Sequence, residues 1–110
     1  MSTVFQKILD GDLPCDRVYE DEICLAFRDI NPVAPCHILV IPKLAIDRLS
    51  SATNNHAQIL GHLMLTASKV AKLEGYDDFR VITNNGADAG QTVFHLHLHV
   101  IAGRPLGWPS

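Results

Sequence analysis

Near the end of the chain the stretch HLHLH sets histidines at positions 95, 97 and 99, with a leucine between each pair. On an extended strand alternate side chains share a face, so His95, His97 and His99 line one side while Leu96, Leu98 and Val100 line the other. Neighbouring rings then stand about 6–7 Å apart at the backbone. The leucines are expected to anchor the strand in a core, and the imidazoles to look outward into a cleft. Three roles suit such a row. It can be a polar sheet face without chemistry, although three ionisable rings on one face repel one another when protonated. It can hold a metal ion, since imidazole is a common zinc ligand. A flat strand does not bring three rings to one ion, however, so His37, opening HILVIP on another strand, would have to complete the tetrahedron. The third role is attack on phosphorus. Imidazole has an unperturbed pKa of about 6.5, so a neutral ring is a nucleophile near pH 7, and flanking rings can orient it and protonate a leaving group. In that role the central ring, His97, is the nucleophile.

The preceding loop, NNGADAGQT, favours the third role. Gly86 and Gly90 permit backbone conformations that turn successive N–H groups toward an anion. A plain hairpin loop is the alternative; directly ahead of a histidine row, a phosphate cradle is the better expectation.

The surrounding elements follow from hydrophobic period and breakers. VFQKILDGDLP predicts a short helix ended by Gly11 and Pro14, with Val4, Phe5, Ile8 and Leu9 on one face. RVYEDEICLAFRDI predicts two strands about the acidic turn Glu20-Asp21-Glu22, and HILVIP a third strand stopped by Pro42. A long helix is predicted from Thr53 or Asn54 to Gly75, with Leu60, Leu63, Met64, Ala67, Val70 and Ala71 as its apolar stripe. FRVITN and TVFHLHLHVIAG predict the last two strands. Short connections imply an antiparallel sheet with the helices on one side, an α+β fold.

Composition bounds the function. The chain has 110 residues, 47% hydrophobic and 19% charged, which predicts one folded domain over 1–110. A net charge of −3 gives no general attraction to nucleic acid or anionic membrane, so a bound phosphate would be held by local geometry. Cys15, Cys24 and Cys36 form no CxxC pair and suit a reducing compartment better than a disulfide framework or a cysteine zinc site. The segment MSTVFQKILDGD lacks a basic region followed by an apolar run, and no stretch is long enough to span a bilayer; a cytoplasmic protein is expected.

HLHLHVI resembles the His-x-His-x-His-x-x signature of the histidine triad superfamily of nucleotide hydrolases and transferases. VFQKILDGDLP, CLAFRDINP, APCHILVIPK, LGHLM, NNGADAGQTVFHLHLHVIAGR and the terminal WP are similar to their counterparts in its nucleotide-binding (Hint) branch. The resemblance implies a five-stranded antiparallel sheet with one long and one short helix, joined to a second sheet across a homodimer, with Gly61 permitting close approach of the two long helices. It implies that His97 forms a nucleotidyl-histidine intermediate, that His99 serves proton transfer at the leaving group, and that His95 and His37 support the site. Asn84 and the loop Gly90, Gln91, Thr92 and Val93 resemble phosphate-binding groups, with the Thr92 hydroxyl where the family has serine or threonine. Asp29 matches a carboxylate that grips the ribose hydroxyls; read on its own it is a turn aspartate before Asn31-Pro32. Phe5, Ile8, Phe27, Ile30 and Leu39 resemble a purine slot, their alternative role being core packing. Trp108 resembles a tail residue bordering the partner subunit's site. No metal or cofactor is required by this resemblance.

His99 stands where uridylyltransferases of the superfamily have glutamine, which fits hydrolysis better. Phe94 and Ala102-Gly103-Arg104 depart from the pattern of dinucleoside polyphosphate hydrolases. The expected activity is hydrolysis of purine nucleoside phosphoramidates, AMP or GMP conjugates of an amine. Alternatives are a nucleotide-binding regulatory module with slow hydrolysis, a dinucleoside polyphosphate hydrolase, and a metal-sensing protein.

Overall fold

The computed structural model describes residues 2–109. Helix α1 (Val4–Leu9) is followed by strands β1 (Arg17–Glu20), β2 (Cys24–Arg28) and β3 (Cys36–Pro42), helix α2 (Ala57–Leu73), and strands β4 (Arg80–Ile82) and β5 (Leu98–Ala102). The strands form one sheet in the order β1-β2-β3-β5-β4, every neighbouring pair antiparallel. The α+β fold expected from the sequence is the fold observed.

Every residue of β3 is buried, as befits a central strand covered on both faces, and this explains its unbroken apolar run. One face packs Cys24, Ala26, Ile38, Val40, Leu98 and Val100 against Leu63, Ala67, Val70 and Ala71 of α2. The other packs Leu25, Phe27, Leu39 and Ile41 against Phe5 of α1, with Ile8 and Leu9 beside them. The helices therefore take opposite faces, not one side. Six-residue α1 is too short to cover its face, and the uncovered remainder holds the histidines.

The turns are held by side chains. Thr3 caps α1, its hydroxyl accepting from the Gln6 N–H at 3.0 Å. Asp21 closes the β1–β2 turn: Oδ1 accepts from the Ile23 and Cys24 amides at 2.8 and 2.9 Å. Its Oδ2 meets the Tyr19 hydroxyl at 2.9 Å and His62 Nε2 of α2 at 2.6 Å. A 3₁₀ turn at Asn54–His56, with a reciprocal Thr53–His56 capping box, leads into α2. Within α2 the buried positions include Thr66, whereas Met64, expected in the stripe, is exposed.

Both C-terminal strands are shorter than their sequence patterns. Val93 to His97 lie outside β5 because their backbone bonds elsewhere: the Leu96 N–H donates to the Ile46 carbonyl at 2.7 Å, and the Val93 carbonyl accepts from the Gln91 side chain at 3.0 Å. Strand β4 stops at Ile82, and the Thr83 hydroxyl continues the contact by donating to the His97 carbonyl at 2.8 Å. Leu96 and Leu98 stay in the core through this irregular stretch.

Gly103 ends β5 at φ +98°, and a Cβ there would sit 2.9 Å from Pro35 Cβ and 3.1 Å from the Tyr76 hydroxyl. Gly11 also has positive φ, yet nothing lies within 4 Å of its Cβ position. Gly11→Ala is expected to cost about 1–2 kcal/mol, the backbone penalty alone. Gly103→Ala adds overlap and is expected to cost about 1 kcal/mol more. Paired urea melts check the difference; equal losses would show that the clash is relieved without cost.

Candidate active site

The uncovered part of the α1 face is a cleft of about 400 Å³ lined by Val4, Phe5, Ile8, Phe27, Arg28, Asp29, Ile30, Asn31, Leu39, Thr92, Val93, His97 and His99. One end is apolar, the other carries two imidazoles, and a carboxylate lies on the same wall. Phe5 joins them: its ring meets Phe27 at 5.6 Å between centroids and His97 at 4.9 Å, edge to face in both cases. A larger, more open hollow of about 610 Å³ lies between Gly75–Arg80 and Gly103–Leu106 and contains no histidine; the chemistry points to the smaller one.

Hydrogen bonds assign the protons of the histidines. His97 Nδ1 lies 2.8 Å from the carbonyl oxygen of His95. A carbonyl only accepts, so Nδ1 carries the proton and Nε2 keeps its lone pair. His95 Nε2 lies 2.8 Å from the Pro42 carbonyl and carries its proton by the same logic. His37 Nδ1 accepts the Val33 N–H at 3.1 Å, which leaves the proton on Nε2. That Nε2 is 2.9 Å from His99 Nδ1. His99 therefore accepts at Nδ1 and, when neutral, carries its proton at Nε2. A donor chain runs from the Val33 amide through His37 to His99, beside a ring with a bare nucleophilic nitrogen.

His95, His97 and His99 are held neutral. Burial pushes His97 below its ordinary value of 6.5, its bond to His95 opposing in part. Burial also lowers His95. For His99, burial and then the neighbouring His97 and His37 rings bring the value down to about 4. At neutral pH the nucleophile is unprotonated without needing a base.

Not every expected residue reaches the cleft. His95 is 2% exposed and turned to Pro42; the expectation that all three rings look outward fails for it, because the backbone bends there and its ring is buried beside Phe5. It acts through its carbonyl. The glycine loop is also not an open cradle. The amides of Ala89, Gly90 and Gln91 donate to carbonyls of Gly86, Ala87 and Gly86, and the Gly86 amide donates to the Gln91 side chain. Gly90 and Gln91 are absent from the cleft wall, and Asn84 rests its amide against Gly90. Thr92 and Val93 do reach it. Gln91, 3% exposed, braces the loop: its Nε2 donates to the Asp47 and Val93 carbonyls at 3.0 Å each. Of the apolar slot, Phe5, Ile8, Phe27 and Leu39 line the wall and Ile30, 91% exposed, stands at its rim. Trp108 is exposed on the tail. Sequence reasoning missed the Val33 amide and the His95 carbonyl, for which no side chain gives a signal; Val4, Arg28 and Asn31 were also missed as lining residues.

Two groups of donors come within metal-binding range, Asp29–His37–His99 and Asp21–Cys24–His62. Neither fits an ion as arranged. Two nitrogens on one tetrahedral zinc stand about 3.3 Å apart, whereas His37 Nε2 and His99 Nδ1 are at hydrogen-bond distance, 2.9 Å. In the second group both Asp21 oxygens are occupied by four hydrogen bonds, and burial raises the Cys24 thiol to about 11.

The depressed imidazoles set a pH dependence of stability. Unfolded histidines titrate near 6.5 and native His99 near 4, so between these values the unfolded state binds more protons and stability falls as pH drops. Asp21 adds its own loss only at lower pH: burial opposes its ionisation, but the Cys24 and Ile23 amides outweigh it and hold the carboxyl well below 3.8. Urea midpoints are expected to fall steadily from pH 6.5 to 4, less steeply in His99→Gln; identical slopes would show that His99 is not the titrating group.

Comparison with known proteins agrees with this fold. A family model described as the HIT domain matches residues 10–106. An uncharacterized HIT-like protein of Synechocystis is 54% identical over 108 residues, covering 97% of this chain and 95% of its own. A 14 kDa zinc-binding protein of Zea mays is 48% identical, covering 97% and 86%. Among solved structures, a HIT family hydrolase from Legionella pneumophila superposes with a TM-score of 0.95 at 38% identity, covering 98% of both chains. A histidine triad protein from Clostridium difficile gives 0.93 at 47% identity, covering 97% and 95%. The matched domain, the close relatives and the shared fold make this chain a member of the HIT family.

Proposed function

We propose that this protein is a nucleotidyl hydrolase that cleaves purine nucleoside phosphoramidates through a covalent intermediate on His97. The observation that carries this reading is the His97 tautomer: Nδ1–H held on the His95 carbonyl at 2.8 Å, with the ring on the cleft wall. The base occupies the slot of Phe5, Ile8, Phe27 and Leu39, under Ile30. Asp29 takes the ribose hydroxyls, and Thr92 and Val93 meet the phosphate oxygens. His97 Nε2 attacks phosphorus, a P–N(His) bond forms, and the P–N bond to the amine breaks. The anionic substrate draws one proton from solvent onto the His37–His99 pair, and the departing nitrogen takes a proton from His99 Nε2, leaving as the amine with His99 neutral. Water then attacks phosphorus, gives its proton to the freed His99 Nε2, and the mononucleotide leaves as His97 is regenerated and the extra proton returns to solvent. Gly90, Gln91 and Asn84 support this wall by holding the loop in shape. His95 contributes its carbonyl. Donors at the phosphate balance the developing charge, so no metal or cofactor takes part.

The partner is proposed to be a second copy. On the outer face of α2, Leu65 is 74%, Leu73 61% and Met64 53% exposed. Gly61 on that helix has nothing of its own chain within 4 Å of a Cβ position, which suits close approach of a symmetric mate. Trp108 is then placed to border the partner's site. Neither nucleic acid nor membrane is a proposed partner; no helix among the described residues is long and apolar enough to cross a bilayer. A cytoplasmic setting is the proposed location.

Two measurements test this. With a fluorogenic adenosine phosphoramidate, chelator-treated wild type is expected to turn over fully and His97→Ala to lose roughly 10⁴-fold. Activity lost with chelator and restored by zinc would instead favour a metal role of the kind named in the maize relative. Full activity in His97→Ala would refute the nucleophile. Separately, Leu65→Glu is expected to halve the mass seen in sedimentation; an unchanged mass would place any interface elsewhere.

A further inference from the structure

His37 holds one proton that two acceptors can claim. Its Nδ1 is filled by the Val33 amide, so Nε2–H is its single donor. That nitrogen is 2.9 Å from His99 Nδ1 and 3.3 Å from Asp29 Oδ2. Asp29 is fixed in place: its Oδ1 accepts the Asn31 amide at 2.8 Å, and its own amide donates to the His37 carbonyl at 2.9 Å. Oδ2 remains the oxygen for other donors, and Asp29 lines the cleft beside Ile30 and Asn31. A ribose diol entering there brings hydroxyl donors to the carboxylate that His37 also faces.

We infer that the sugar hydroxyls and His37 compete for Asp29, so that ribose binding removes a rival pull on the His37 N–H, strengthens its bond to His99 and readies the leaving-group proton. This rests on the nucleotidyl-transfer reading above and adds a specificity mechanism to it. That N–H is hydrogen-bonded to His99 Nδ1, and the carboxylate oxygen 3.3 Å from the same nitrogen exerts a rival attraction that weakens the bond. Hydroxyl donors on Oδ2 satisfy the carboxylate and leave His99 Nδ1 as the better acceptor. A stronger donor into Nδ1 draws electron density from the ring and makes Nε2–H more acidic, as in any chain of polarised hydrogen bonds. Asp29 is then a group that reads the sugar, and His37 is a positioning residue that relays the result. Ribose is felt in the chemical step and not in affinity alone.

The test compares adenosine, 2′-deoxyadenosine and 3′-deoxyadenosine 5′-phosphoramidates of one amine. The quantity read is the single-turnover rate of nucleotidyl-enzyme formation at saturating substrate, followed by intact mass. In the wild type, loss of the hydroxyl that meets Asp29 is expected to slow saturated adduct formation by about tenfold. In His37→Ala the ribo and deoxy substrates are expected to share one saturated rate, differing only in the concentration needed. Equal saturated rates in the wild type, or an undiminished deoxy penalty in His37→Ala, would overturn the coupling. Because His37 is buried, ¹⁵N spectra of the wild type give a test free of folding effects. AMP is expected to shift His99 Nδ1 further toward the hydrogen-bonded position than the matching deoxynucleotide does; identical shifts overturn the proposal. No adduct from the ribonucleotide at all would defeat the transfer reading, an outcome distinct from an adduct that forms without regard to the sugar.

Discussion

The site depends on one short hydrogen bond within the chain, from His97 Nδ1–H to the carbonyl of His95, two residues back. A neutral imidazole has two tautomers, and only the one protonated at Nδ1 leaves Nε2 free to attack. The carbonyl makes that choice permanently, without a carboxylate whose charge would raise the ring's affinity for protons. Burial lowers that affinity and outweighs the opposing pull of the His95 bond and of Asp29, so the nucleophile is ready at neutral pH. The carbonyl is free because residue 95 lies outside β5. Had the strand begun at Thr92, as its pattern suggests, that oxygen would stand in register for the ladder. The shortened strand is part of the chemistry.

The fold supplies what the bond requires. Antiparallel pairing of β3 and β5 sets Leu39 opposite His99 and His37 opposite Ile101, which brings the two imidazoles from different strands within 2.9 Å. The α2 face is filled with small, β-branched and leucine side chains, whose burial stabilises the sheet. The opposite face is half covered by α1, whose Phe5 touches both the apolar slot and the His97 ring. Gln91 ties the glycine loop to the segment before α2, so that Thr92 and Val93 enter the cleft at a fixed height.

Much of this was legible in the chain. The unbroken run of β3, the period of α2 and the alternation of HLHLH each mark an element whose side chains must be buried on a given face, and burial is what sequence pattern records. Positions decided by backbone hydrogen bonds were not legible. Nothing in the letters shows that the loop's glycine amides bond within the loop, that Thr66 replaces Met64 at the buried stripe, or that the helices take opposite faces. His95 is the sharpest case: identical to its neighbours in the motif, it differs from them because its nitrogen finds the Pro42 carbonyl, a contact across 53 residues. His97 was identified from its central place, but its proton was not; that required the carbonyl to be seen.

The most direct measurement is a long-range ¹H–¹⁵N correlation spectrum of the histidine rings at neutral pH, assigned by substitution. His97 is expected to show a protonated, pyrrole-like Nδ1 and a pyridine-like Nε2. A proton on Nε2, or rapid averaging between the two nitrogens, would mean that the carbonyl does not fix the ring and that His97 is not a preset nucleophile.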